Sequence, residues 1–292
     1  MFTVTLICTP GKLKVTPPLV QSLVDTWDGR NLVWLATNEA ANFKIFKKPE
    51  NLRPVWKEMQ MLGIDLIVQP GHKSRKAILI ADMDSTMIEQ ECIDEMAAEA
   101  GFGLQVSKIT ELAMEGKLDF RQALKERVAL LKGLPLSIVE RVYRTRISFT
   151  KGGSTLITTM KANGGYSALI SGGFTNFTQL VAKKIGFDEH VANTLIHQNH
   201  IFTGELKPPI IDSKAKAKAM KDISLKLGLS PEEVLAVGDG ANDVEMLQQS
   251  GMGVALHAKQ VVQDQVTARI NHGDLTALLY LQGYKKSDFI NF

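Results

Sequence analysis

Ala77-Ile78-Leu79-Ile80-Ala81-Asp82-Met83-Asp84-Ser85-Thr86 carries five unbroken apolar residues into an abrupt polar end. The run lacks the alternation of a half-exposed strand and suits a central parallel strand covered on both faces. The same plan recurs twice downstream: residues 166–170 lead into Ser171-Gly172-Gly173-Phe174, and residues 234–237 into Gly238-Asp239-Gly240-Ala241-Asn242-Asp243. Helical patterns lie between the runs, among them residues 177–185 and 215–227. Strands alternating with helices predict an α/β fold built on a doubly wound parallel sheet. Ligands of such sheets bind beyond the carboxyl ends of the strands, where all three polar clusters fall.

The alternation breaks once. Residues 93–100, 106–115, 120–131 and 137–146 all read as helices with no strand between them, which predicts an inserted helical-bundle cap at about residues 91–147. Upstream, Gln69-Pro70-Gly71-His72-Lys73-Ser74-Arg75-Lys76 is a polar run with turn residues and reads as a linker. Before it, strand patterns at residues 3–8, 32–36 and 64–68 and helical patterns at 18–27 and 52–62 predict a small α+β domain. The expected division is 1–72 for that domain and 73–292 for the core with its cap.

Composition narrows the class. The chain of 292 residues is 45% hydrophobic and 22% charged, which excludes disordered, collagen-like and disulfide-scaffold proteins. A formal net charge of +3 gives no sign of nucleic acid or an anionic membrane as partner. Two cysteines, Cys8 and Cys92, cannot form a disulfide framework and point to a reducing compartment. The first lysine is Lys12, so the basic start of a signal peptide is missing, and the uncharged residues 163–182 are too rich in Gly, Ser, Thr and Asn for a bilayer span. A soluble cytoplasmic protein is expected.

Asp82 and Asp84 stand two apart at a strand end, where two carboxylates repel unless a cation or proton intervenes. A metal-bound nucleophile beside a general acid fits that pairing. The plainer reading is an Asp-rich turn in which Ser85 and Thr86 cap the next helix. The third cluster begins like a dinucleotide fingerprint, but Asp243 occupies the third glycine position and would repel a pyrophosphate. Acidic strand ends suit Mg²⁺ better. No Gly-x-x-x-x-Gly-Lys-Ser/Thr sequence exists, which excludes a P-loop. Ser171-Gly172-Gly173 offers a hydroxyl and unhindered N–H groups to an anion, although alone it would pass for a turn. Lys214, Lys216, Lys218 and Lys221 open a helix, mostly as a solvated face, with one able to reach a phosphate. His197 and His200 flank Gln198-Asn199, read as a hairpin turn without further metal ligands. Cys92 has no histidine partner nearby and reads as a buried thiol, and Trp27, Trp34 and Trp56 as core or interface residues of the first domain.

Taken together, the order Asp-x-Asp-Ser-Thr, Ser-Gly-Gly, Lys, Gly-Asp-Gly-x-Asn-Asp resembles the haloacid dehalogenase superfamily of phosphotransferases. Within it, Asp82 to Thr86 followed by Glu91-Cys92-Ile93-Asp94-Glu95, and Met114-Glu115-Gly116-Lys117-Leu118-Asp119-Phe120 followed by Arg127-Val128, resemble the phosphoserine phosphatase branch. The resemblance covers about residues 77–292. One departure is Met83, where that family usually has an aromatic; its side chain should face away from the substrate. The resemblance implies that Asp82 attacks phosphorus and becomes an aspartyl phosphate, while Asp84 protonates the leaving oxygen and then activates water. It implies Mg²⁺ held by Asp82, the backbone carbonyl of Asp84 and Asp239, with Asp243 supporting the site. It further implies that Ser171, the Gly172 N–H and Lys216 hold phosphate oxygens, with Asn242 positioning the phosphate; Lys214 and Lys218 are rivals to Lys216. In the cap, Glu91 would meet the ammonium of O-phosphoserine and Arg127 its carboxylate, with Phe120 closing the pocket. For Glu91 and Arg127 the alternative is a pair of surface helix charges.

The expected activity is therefore Mg²⁺-dependent hydrolysis of O-phosphoserine to serine and phosphate, the last step of serine biosynthesis. One rival is an enzyme acting on another small phosphomonoester or passing the phosphoryl group to another hydroxyl, separable by assay with and without homoserine. The other is a non-enzymatic amino-acid or phosphate sensor, which phosphate release would eliminate. The first domain resembles small amino-acid-sensing domains through its element order, and it could pair two copies of the chain.

Overall fold

The computed structural model describes residues 1–71 and 75–291. Its first part is an antiparallel sheet of order β2-β3-β1-β4, made of β1 (Phe2–Cys8), β2 (Arg30–Ala36), β3 (Ala40–Ile45) and β4 (Ile64–Pro70). Helix α1 (Pro17–Thr26) starts on a proline whose missing N–H costs nothing there, and α2 (Leu52–Leu62) ends at Gly63, whose φ of 74° favours glycine. Sequence reading found these elements except β3, whose Ala40, Ala41 and Asn42 are weak strand formers. Pairing along β1, from Phe2 opposite Ile45 to Ile7 opposite Ala40, makes it a strand. The expected boundary between residues 72 and 73 lies outside the described residues.

Strand alternation gives this sheet two apolar faces. Val4, Leu6, Phe43 and Leu66 pack under α1 and α2, whereas Ile7, Leu35, Ala36, Ala40 and Ile67 join the core of the following part. Two buried carboxylates complete the junction. Asp65 accepts the N–H groups of Asn271 (2.8 Å), His272 (3.1 Å) and Gly273 (2.8 Å). Glu39 accepts from Tyr280 Oη (2.7 Å), Lys286 Nζ (2.7 Å) and the Gly11 N–H (3.3 Å). Burial pushes the Glu39 carboxyl up, but these donors outweigh it and hold it below the usual carboxylate range. A depressed folded-state value stabilises above the unfolded value, and the contribution is lost as pH falls through the folded one. The stability difference between the parent and Glu39→Gln should therefore be fully present at neutral pH and vanish in acid, as read by urea unfolding across that range. A pH-independent difference would show that the charge does not matter.

The second part holds a seven-stranded sheet of order β11-β10-β9-β5-β6-β7-β8, with β5 (Ile78–Ala81) at its centre. Four cap helices follow β5: α3 (Cys92–Glu99), α4 (Gly103–Met114), α5 (Phe120–Leu130) and α6 (Ser137–Thr145). The chain leaves and re-enters the core through two segments that run antiparallel, with Ile88 opposite Phe149. Helix α7 (Gly153–Ala162), β6 (Tyr166–Phe174) and α8 (Thr175–Ile185) come next, then the hairpin of β7 (Glu189–Gln198) and β8 (Ile201–Lys207). The hairpin pairs Gln198 with Ile201, so its turn is Asn199-His200, both with positive φ, one residue later than sequence reading put it. Helix α9 (Ser213–Lys226) crosses back to β9 (Val234–Gly238), on the other side of β5. Helix α10 (Val244–Gln249), β10 (Met252–Leu256), α11 (Gln260–Gln263), β11 (Ala268–Ile270) and α12 (Ala277–Leu281) complete the chain.

Strands β6 and β9 both pair in parallel with β5. This order sets the three polar strand ends side by side where the connections diverge, the usual ligand position of an open α/β sheet. Among the described residues no helix is long and apolar enough to cross a membrane.

Candidate active site

Strand β5 ends at Ala81, and the Asp82 N–H is tied to Val237 O of β9 at 3.0 Å. The turn from Met83 to Met87 then bends through Ser85, whose φ is 54°. Ser85 and Thr86 do not cap α3, contrary to the plainer sequence reading. Ser85 Oγ donates to Glu91 Oε1 (2.8 Å) and Thr86 Oγ1 to Asp239 Oδ1 (3.3 Å). Both hydroxyls thus serve carboxylates of the strand-end cluster and the cap.

Asp212 caps α9 by accepting the Ala215 N–H at 2.9 Å, which sets Lys216 on the first turn. Lys216 is fully buried, and Nζ donates to Asp82 Oδ1 (2.6 Å) and Asp243 Oδ1 (2.7 Å). Lys214 and Lys218 are exposed, the latter paired with Asp222, so of these three lysines helix rotation turns only Lys216 inward. Asp243 Oδ2 accepts the N–H groups of Asp239 (3.2 Å) and Gly240 (3.1 Å). Asp243 is therefore committed to Lys216 and to its own loop.

Oxygen atoms of Asp82, Asp239 and Asp243 all lie within 4.8 Å of one another in a buried cluster. Burial, then the charge of Asp243, pushes the Asp82 carboxyl up to about 7 against the pull of Lys216. Burial, then Glu91 and the neighbouring aspartates, holds Asp239 far above the carboxylate range. Asp82 and Asp239, two neighbouring carboxyls that both resist ionising, are what a hard divalent cation relieves. Asn242 Oδ1 adds a buried oxygen without a hydrogen-bond partner. The donor set fits a divalent metal.

Asp82, Asp84, Glu91, Phe120, Arg127, Ser171, Gly172 and Asn242 line one tight cavity, closed over by Ile93, Met114 and Leu124 of the cap. Glu91 and Arg127 are thus not surface charges. Asp119 caps α5 through the Gln122 N–H (2.9 Å) and brings Phe120 over Gly172. A Cβ at Gly172 would stand 2.8 Å from the Phe120 ring, so glycine is required for this approach. Outside the cavity, Arg121 of the cap pairs with Asp212 of the core at 2.5 Å. Arg127 is only 2% exposed, and no carboxylate among the described residues lies within ion-pair distance of it. Burial, then the charge of Asp84, pushes the Glu91 carboxyl up to about 8.

Around the strand ends, the contacts of three residues were not foreseen from sequence. Asn193 of β7 donates to Gly172 O (2.8 Å) and accepts the Ile211 N–H (2.8 Å), tying the Ser171 turn to the segment leading into α9. Thr86 is the second. Cys92 is buried as expected, but its N–H donates to Asp84 Oδ1 at 3.0 Å and its thiol, held protonated by burial, faces the same carboxylate.

The model of the haloacid dehalogenase-like hydrolase family matches residues 79–248. The chain belongs to this family. A phosphoserine phosphatase of Archaeoglobus fulgidus is 44% identical over 224 residues, 76% of this chain, and the match spans 65% of that relative's length. Among solved structures, a haloacid dehalogenase family hydrolase of Salmonella enterica serovar Typhi superposes with a TM-score of 0.84 at 29% identity, covering 96% of this chain and 98% of that one. A phosphoserine phosphatase solved as a phospho-aspartyl intermediate analogue superposes with a TM-score of 0.68 at 38% identity, covering 70% of this chain and 98% of that one. The family match includes the ends of β5, β6 and β9, so the acidic cluster and the cavity belong to the haloacid dehalogenase-like part.

Proposed function

We propose that the chain hydrolyses O-phosphoserine to serine and phosphate through a phosphorylated Asp82. The observation that carries this reading is the composition of this cavity, with carboxylates and anion-binding groups at its floor and Glu91 and Arg127 from the cap. Arg127, buried without a carboxylate in ion-pair contact, calls for an anion from the ligand. Glu91, whose carboxyl burial and Asp84 push up, would ionise more readily beside a ligand ammonium. Phosphoserine supplies both groups and a phosphate. Names of relatives agree with this substrate.

In the proposed reaction an Asp82 carboxylate oxygen attacks phosphorus and the bond from phosphorus to the serine oxygen breaks. Asp84 gives its proton to that oxygen, and serine leaves. Asp84 then takes a proton from water, whose oxygen attacks phosphorus; the bond to Asp82 breaks and phosphate departs. Ser171, the Gly172 N–H, Asn242 and Lys216 would hold the phosphoryl oxygens as charge redistributes. Asp82, Asp239 and the Asp84 carbonyl would hold Mg²⁺, with Asp243 steadying the loop, and the bound ion would supply positive charge against the phosphate oxygens. Both cysteines are free and buried, in keeping with a reducing cytoplasm.

A phosphate-release screen tests the substrate. Arg127→Ala and Glu91→Ala should each lower kcat/KM for phosphoserine by about 30- to 5,000-fold, the equivalent of about 2–5 kcal/mol. Hydrolysis of an aryl phosphate should change far less, because it offers neither ammonium nor carboxylate. Equal losses on both substrates would instead indicate a defect of cap closure and count against phosphoserine.

A further inference from the structure

We infer that Asp94 and Thr110 are positioning residues that hold Arg127 for the carboxylate of an amino-acid phosphomonoester, an inference that rests on the reading above. A chain of hydrogen bonds joins one residue from each of three cap helices. Thr110 Oγ1 on α4 donates to Asp94 Oδ1 on α3 at 2.5 Å and accepts from Arg127 Nη1 on α5 at 2.9 Å. Thr110 is buried at 3% exposure, so water does not compete for these bonds.

The direction of the chain follows from proton count. A threonine hydroxyl has one proton and two lone pairs. Val106 O stands 3.2 Å away as a rival acceptor, but the carboxylate is nearer and its bond is charge-assisted. With the proton committed to Asp94, a lone pair is left facing the guanidinium. Without Asp94 the proton would pass to Val106 O, and the hydroxyl facing Arg127 would lose the charge-assisted bond that fixes and polarises it.

The arrangement also explains why Asp94 does not pair with Arg127 directly. A carboxylate gripping the guanidinium fork would occupy two parallel N–H donors. Thr110 stands between them, so Asp94 supports the buried cation while using none of its donors. Nε is spent on Ala123 O at 3.2 Å and one Nη1 hydrogen on Thr110. The other Nη1 hydrogen and both on Nη2 have no acceptor among these contacts, and Arg127 lines the cavity.

The test measures kcat and KM for phosphoserine and for phosphoethanolamine, which keeps the phosphate and ammonium but lacks the carboxylate. Thr110→Val, close to isosteric, should raise KM for phosphoserine about tenfold or more, since it removes a bond to a charged group. KM for phosphoethanolamine and kcat for both should change far less. Thr110→Ser should restore the parent KM, and Asp94→Asn should raise it by a smaller factor. In an Arg127→Ala background, Thr110→Val should add nothing. Equal effects on the two substrates, or failure of Thr110→Ser to rescue, would reduce the pair to ordinary packing and overturn the inference. If Arg127→Ala itself leaves the preference for phosphoserine intact, the substrate reading fails and the relay falls with it.

Discussion

Asp82→Asn should abolish turnover, by at least about 10⁴-fold, without unfolding the protein. The amide is nearly isosteric, and its oxygen can still accept from Lys216 Nζ, now 2.6 Å from Asp82 Oδ1. What it lacks is a nucleophilic carboxylate. The substitution also removes one negative charge from a buried cluster in which burial and Asp243 already oppose ionisation of Asp82. The metal-free variant should therefore melt no lower than the metal-free parent, and its affinity for a divalent cation should fall. Phosphate release and thermal unfolding, each with and without Mg²⁺, check both halves. Turnover that survives the change would move the nucleophile elsewhere, and a collapsed fold would make the loss uninformative about chemistry.

The second large effect concerns Lys216. It is the cation shared by two buried carboxylates, and its side chain is itself fully buried. Lys216→Met keeps the stem and deletes the charge, which leaves Asp82 and Asp243 facing each other uncompensated. Breaking a buried ion pair in this way costs about 3–5 kcal/mol. The metal-free variant should lose that much stability in urea unfolding. In an Asp82→Asn background the same change should cost less, because one of the two stranded charges is already gone. Turnover should fall by a further route, since a preorganised cation near the transferring group is worth roughly 10²–10³ in rate. A Lys216→Met protein as stable as its parent without metal would contradict the buried bridge between Asp82 and Asp243.

How much of this was readable from sequence depended on how locally each feature is encoded. Strands β5, β6 and β9 are buried on both faces, so each appears as a short, largely apolar run with its polar chemistry in the next few residues. That is why Asp82, Asp84, Ser171, Gly172, Asp239, Asn242 and Asp243 could be named before any coordinates. The cap residues Glu91, Phe120 and Arg127 were legible only through family resemblance, because nothing in a charged helix says which face closes on a cavity. The lysine was ambiguous for a related reason: Lys214, Lys216 and Lys218 differ only in rotation about α9, and only Lys216 turns inward. Asp94, Thr110 and Asn193 act through partners 16 to 21 positions away, a pairing that periodicity does not reveal. The junction of Asp65 with Asn271 to Gly273 spans more than 200 positions and left no trace in the sequence.

The central claim is that phosphate passes through Asp82. The most direct measurement incubates the protein with radiolabelled phosphoserine and Mg²⁺, quenches in acid within one turnover, and maps the labelled peptide. The account predicts a hydroxylamine-labile label on the peptide containing Asp82, and none in Asp82→Asn. A label on any other residue, or rapid turnover with no covalent label at any quench time, would contradict it.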